Sequence, residues 1–145
     1  GNGPVTTRVR FGTGREDSDS VTLDAFVDDN KSGGSNIIAA EYFLDRVGAA
    51  GTGKRMDPSD GGFNFAREPV RATLRLSGIA SGGHTFYVRG QDAAGNWGAT
   101  ARLYFQVRTS RRMSAGEVRI VRPDDDAATT ALVVWIGTRQ RITDD

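Results

Sequence analysis

On either side of a short polar break, the residues from Gly83 to Val107 alternate one by one between apolar and polar. Phe86 and Val88 fall on one face, Tyr87 and Arg89 on the other. Past the break, Ala101, Leu103, Phe105 and Val107 oppose Arg102, Tyr104, Gln106 and Arg108. A period of two belongs to a half-buried strand, because successive side chains of extended backbone point to opposite faces. The break itself reads Asp92-Ala93-Ala94-Gly95-Asn96-Trp97-Gly98. An aspartate in such a place accepts hydrogen bonds from N–H groups just ahead, and Gly95 and Asn96 tolerate positive φ. The segment predicts an antiparallel hairpin whose apolar face needs a second sheet to cover it.

The same rhythm recurs upstream. Val5, Thr7, Val9 and Phe11 oppose Thr6, Arg8 and Arg10 in a first strand. Val21, Leu23, Ala25 and Val27 form the inward row of a second, ahead of a polar loop from Asp28 to Asn36. In a third strand, Ile37 to Leu44, the core row is assigned to Ile38, Ala40, Tyr42 and Leu44 because Glu41 lies on the opposite face. Arg46 to Phe65 carries too many glycines for regular structure and reads as a long connection with room for a short edge strand. Val70, Ala72, Leu74 and Leu76 make a fourth strand behind Pro69. Roughly seven short strands without a helical period predict an all-β antiparallel sandwich over residues 1–108.

Residues 109–145 depart from that pattern and read as a C-terminal β-extension. Glu117 to Arg122 and the apolar run Ala131 to Ile136 suit strands, with Thr138 to Thr143 continuing the second; Pro123-Asp124-Asp125-Asp126 is a turn. Either these strands add to the sandwich or they begin a neighbouring unit. A run containing Trp135 should be covered, which favours docking.

At 145 residues the chain can bury a real core, and it has no cysteine with which to form disulfides or thiolate metal sites. A formal net charge of +1 implies no strong attraction to nucleic acid or membrane. Apart from Lys31 and Lys54 every basic side chain but His84 is arginine, which looks like codon bias. No apolar run approaches a membrane span. No signal peptide precedes Gly1, and Gly1-Asn2-Gly3-Pro4 reads as a linker, suggesting a piece of a longer protein.

Ala40-Glu41-Tyr42-Phe43-Leu44-Asp45, Gly51-Thr52-Gly53 with Met56, Asp60-Gly61-Gly62-Phe63 and above all the segment from Gly83 to Gly98 resemble an immunoglobulin-like or fibronectin III-like repeat of secreted multidomain bacterial and archaeal proteins. The likeness covers about three quarters of the chain. It implies a non-catalytic spacer, adhesive or accessory module, secreted or at the cell surface, whose partners are neighbouring domains of its parent. It brings no catalytic residues.

The residues that invite a sharper reading each have a plain one. Gly48-Ala49-Ala50-Gly51-Thr52-Gly53-Lys54 fits half of a phosphate-binding loop, but Arg55 stands where Ser or Thr would hold magnesium, and Pro58 follows too soon for the required helix. Asp28, Asn30 and Ser32 alternate ahead of Gly33 as at the front of a calcium loop, yet Ala39 occupies the bidentate position. A solvated turn is the default there; Asp28, Asp29 and Asn30 are carried as a candidate weak calcium site, and Asp57 with Asp60 as a second acidic loop. His84, the single histidine, has no nucleophile elbow to serve and reads as a structural corner. Asp92, Gly95 and Asn96 read as turn makers. Trp97, Tyr104 and Tyr87 are the candidates for stacking a sugar ring, against the plainer view that Trp97 plugs the end of the core. Arg108, Arg111, Arg112, Arg119 and Arg122 form a basic stretch without interleaved aromatics, which argues for a solvated surface over nucleic acid. Asn30-Lys31-Ser32 is formally a glycosylation acceptor, irrelevant in a bacterial source. The expected function is thus a non-enzymatic extracellular module. The alternative is a polysaccharide-binding module, with calcium as its one conceivable cofactor and polysaccharide or a surface protein as its partner.

Overall fold

The computed structural model describes residues 2–12, 20–121 and 132–139. The expected turn at Pro123 to Asp126, Arg122, Ala131 and most of the stretch Thr138 to Thr143 lie outside them. Among the described residues the chain is all-β, with ten strands and no helix. They are β1 (Val5–Phe11), β2 (Ser20–Asp28), β3 (Ile37–Leu44), β4 (Lys54–Arg55), β5 (Asp57–Pro58), β6 (Arg67–Arg75), β7 (Gly82–Asp92), β8 (Ala101–Ser114), β9 (Val118–Val121) and β10 (Leu132–Arg139). Two sheets result, ordered β1-β2-β6-β5 and β4-β3-β7-β8-β10-β9. The long irregular connection contains two edge strands, β4 and β5, one in each sheet. No helix among the described residues is long and apolar enough to cross a membrane.

The described residues form two compact units. The first comprises those within Gly1–Gly12, Thr22–Ala72 and Thr85–Leu103. Here the two sheets face each other: Phe11 of β1 meets Phe86 of β7 edge-on at 6.0 Å, and Tyr42 of β3 meets the same ring at 5.9 Å. Leu23, Ala25 and Val27 are buried along β2, as are Val70 and Ala72 along β6, so the expected alternation is present in both. Val27 approaches β7 so closely that a Cβ at Gly90 would overlap its side chain.

Two expected core rows need correction. In β1, Thr6 and Phe11 are the buried residues, while Val5 is 51% exposed and Thr7 is exposed. Residues five apart share a face only if the strand gains a residue. A register shift between Thr7 and Arg10, with Arg8 at φ 57°, supplies that bulge. In β3 the row Ile38-Ala40-Tyr42-Leu44 is interior only at Ala40 and Tyr42. Ile38 is 46% exposed and Leu44 36%, whereas Ile37, Ala39 and Glu41 are buried. The register of β3 against β7 slips between Ile37 and Ala39, and both faces at the middle of the strand are covered. Parity of apolar residues cannot identify the inner face of such a strand.

The second unit comprises the described residues within Thr13–Val21, Thr73–His84 and Tyr104–Asp145. Its interior holds Val21, Leu74, Leu76, Phe105, Val107, Met113, Val118, Ile120, Leu132, Val134 and Ile136. The tail strands join the sheet. β10 pairs in parallel with β8, from Leu132 opposite Phe105 onward, and antiparallel with β9. β9 follows β8 after a turn in which Glu117 N donates to Ser114 O (2.9 Å), yet β10 lies between them. The apolar run at Leu132–Ile136 is what makes this insertion favourable, since its inward residues have neighbours on both sides.

Candidate functional site

The most chemically loaded place in the first unit is the outer face of β3 and β7. Glu41, 1% exposed, accepts hydrogen bonds from Gly53 N at 2.8 Å and Gly51 N at 3.2 Å, and from Arg89 Nε at 2.7 Å. Arg89 lies opposite Glu41 in the strand register and donates through Nη2 to Gly48 O at 2.9 Å. Its guanidinium sits 5.2 Å from the centre of the Phe43 ring and 5.7 Å from that of Trp97. The glycine loop that imitates a phosphate cradle thus points its N–H groups at an internal carboxylate. An arginine held between two aromatic faces neutralises that carboxylate. Nearby, burial pushes the Tyr42 phenol above its ordinary pKa.

The turn after β7 is built as its residue types imply. Asp92, 2% exposed, accepts from Ala94 N at 3.0 Å and Asn96 N at 2.9 Å, and Gly95 takes a φ of 90°. Asn96 keeps negative φ and contributes its carbonyl, which accepts from Asp92 N at 3.0 Å. Asp92→Ala strands two N–H groups in a half-buried turn. It is expected to lower stability by about 1–3 kcal/mol in urea denaturation, with Asp92→Asn costing less because one acceptor oxygen remains.

Of the three aromatic candidates, Trp97 lines a groove among the described residues. Trp97 is half-buried and lines an open groove of about 520 Å³ with Pro4, Val5, Thr6, Ser32 and Thr100 among its other walls. Tyr87 is half-buried opposite Phe43 and does not line this groove. Tyr104, 51% exposed, belongs to the second unit, where its phenol stands over Gly83.

Asp28 accepts from Asn30 N at 2.8 Å and lies 3.6 Å from Arg67 Nε, while Asp29 is fully buried and accepts from Ser35 N at 2.7 Å. Asn30 is exposed. In the second acidic loop, Asp60 accepts from Gly62 N at 3.5 Å, and Asp57 pairs across to Arg71 as part of β5. No group of three or more acidic, imidazole or thiol side chains able to hold a metal forms among the described residues. His84, in the second unit, is half-buried; its Nε2 lies 2.6 Å from Ala80 O and its ring stacks on Phe105 at 5.8 Å. Arg108, Arg111, Arg112 and Arg119 are all exposed along β8 and β9.

Sequence reasoning passed over Glu41, Arg89 and Glu68, the last also fully buried, with Oε2 accepting from Asn64 N at 2.6 Å and Phe65 N at 2.9 Å. A signal existed: Glu41 interrupts the apolar run Ile37–Leu44, and Glu68 continues an inward row. Both look like solvent-facing acids until the loops that cover them are in place. Compared with known protein families, with characterised proteins and with solved structures, the chain finds no match.

Proposed function

We propose that the chain is a non-catalytic immunoglobulin-like module that spaces, adheres or supports neighbouring domains in a larger secreted or surface protein. The observation that carries this reading is the use made of buried acid. Asp29, Glu41, Glu68 and Asp92 are all buried, and each binds backbone N–H groups of a loop. Carboxylates bound in this way hold loops in shape, and they are poorly placed to shuttle protons to a substrate. The strand orders β1-β2-β6-β5 and β3-β7-β8 support the immunoglobulin-like assignment, since they match the A-B-E-D and C-F-G orders of that sandwich. The test pairs two measurements on the purified chain: adhesion of protein-coated beads to cell-surface and polysaccharide films, and turnover of ester, peptide and glycoside substrates. Adhesion or a purely structural role without turnover is expected. Hydrolysis lost in His84→Ala would overturn the reading.

The groove beside Trp97 favours a second reading, a module for polysaccharide. An indole that lines an open groove can stack one sugar ring on its face. On this reading Trp97→Ala reduces retention on the polysaccharide at least 10-fold, Tyr104→Ala leaves it unchanged, and a glycan array without hits counts against it.

A further inference from the structure

Two carboxylates inside the first unit are only half used. Asp29 and Glu68 are both 0% exposed. Asp29 Oδ2 accepts from Ser35 N, and Glu68 Oε2 from Asn64 N and Phe65 N. Their other oxygens, Asp29 Oδ1 and Glu68 Oε1, are buried and meet no hydrogen-bond donor among the described residues.

The pairing of β2 with β6 sets these two residues on one inner face. Asp24 pairs with Arg71, Asp28 with Arg67, and Asp29 N donates to Ala66 O at 2.8 Å. In that antiparallel register Val27 is opposite Glu68, and Asp29 is the next inward residue along the chain from Val27. Inward direction follows from alternation, since Val27 and Val70, two residues away on either strand, are fully buried. The two acids are therefore diagonal neighbours on one inner face, a spacing of about 7–8 Å between Cα atoms and less between side chains. Arg67 does not neutralise them: it is turned onto the Phe26 ring at 4.2 Å and towards Asp28. A pair of buried, adjacent carboxylates without a cationic partner is strongly unfavourable.

We propose that Asp29 Oδ1 and Glu68 Oε1 bind one calcium ion, which neutralises the pair and locks the loops of residues 29–36 and 59–66 together. Both donors are hard carboxylate oxygens, and neither histidine nor cysteine is at hand, which disfavours zinc. With only two side chains contributing, backbone carbonyls and water complete the shell. Calcium accepts that irregular mixture, and magnesium, which demands a near-ideal octahedron, does not. This site differs from the Asp28-Asp29-Asn30 loop read from sequence: it shares Asp29 and replaces the other two ligands by Glu68. It does not depend on what the module binds.

The test is thermal unfolding of the full chain in EDTA, in millimolar calcium and in millimolar magnesium, with calorimetric stoichiometry. Calcium should raise Tm by about 5 °C or more and bind at one ion per chain, with magnesium giving much less. Asp29→Asn and Glu68→Gln should each abolish the rise, and Asp28→Asn should retain it. In EDTA, Glu68→Gln should be at least as stable as the parent, because the amide removes an uncompensated charge. The proposal is overturned by the absence of calcium binding to the parent chain, by a rise that survives Glu68→Gln, or by one lost in Asp28→Asn. Should a variant fail to fold, the stoichiometry of the parent chain decides.

Discussion

Replacing Glu41 by alanine is expected to lower the unfolding free energy by about 3–5 kcal/mol, the range for breaking a buried ion pair from one side. Three interactions disappear together. Arg89, whose side chain is 13% exposed, loses its only carboxylate among the described residues and remains held between Phe43 and Trp97. Gly51 and Gly53 lose the acceptor of their N–H groups, and the glycine loop loses the contact that folds it against β3. Glu41→Gln should cost less, since a carbonyl oxygen still accepts one N–H. The measurement is urea denaturation of the single variants and of Glu41→Ala with Arg89→Ala. A double variant no worse than Glu41→Ala alone would show that the stranded guanidinium carries much of the loss. A loss below about 1 kcal/mol for Glu41→Ala, typical of an exposed pair, would refute the account.

The second large effect is expected at Gly137. β10 passes so close to the end of β8 that a Cβ at this position would collide with the Ser114 carbonyl group and come within 3.0 Å of the Met113 carbonyl carbon. These are backbone atoms of a paired strand, so no rotamer change relieves the overlap. Gly137 also donates its N–H to Glu117 O at 2.8 Å, which ties β10 to the bend between β8 and β9. Gly137→Val should therefore expel the end of β10 at a cost of about 3 kcal/mol. Amide exchange at Val133 to Ile136 should accelerate roughly 100-fold. Trp135, half-buried in β10, reports the same event: in a Trp97→Phe background its emission should shift to the red. Unchanged exchange in Val133 to Ile136 would mean that β10 is not held by this contact.

Much of the fold was legible because extended backbone translates composition directly into burial. Along β2, and along β6 from Val70 onward, every second residue is apolar, and the same residues are buried. The Asp92 turn was equally readable, since its hydrogen bonds join residues two and four apart. Legibility failed where the covering group comes from far along the chain. Glu41 marked a solvent face until residues 48–53 folded over it, and Ile38 looked like core until a bulge changed the phase of β3.

The amino-acid sequence by itself determined that short strands with one apolar side must pair, where the chain must turn, and that the tail's apolar run must be covered. Those outcomes depend on local geometry and on the free energy of removing apolar surface from water, both properties of short segments. Tertiary structure alone decided that β10 lies between β8 and β9, that Arg89 balances Glu41, and that Asp29 and Glu68 share an inner face. Each of these joins residues distant in the chain. Their worth arises only when burial removes water and strengthens every charge and hydrogen bond that remains.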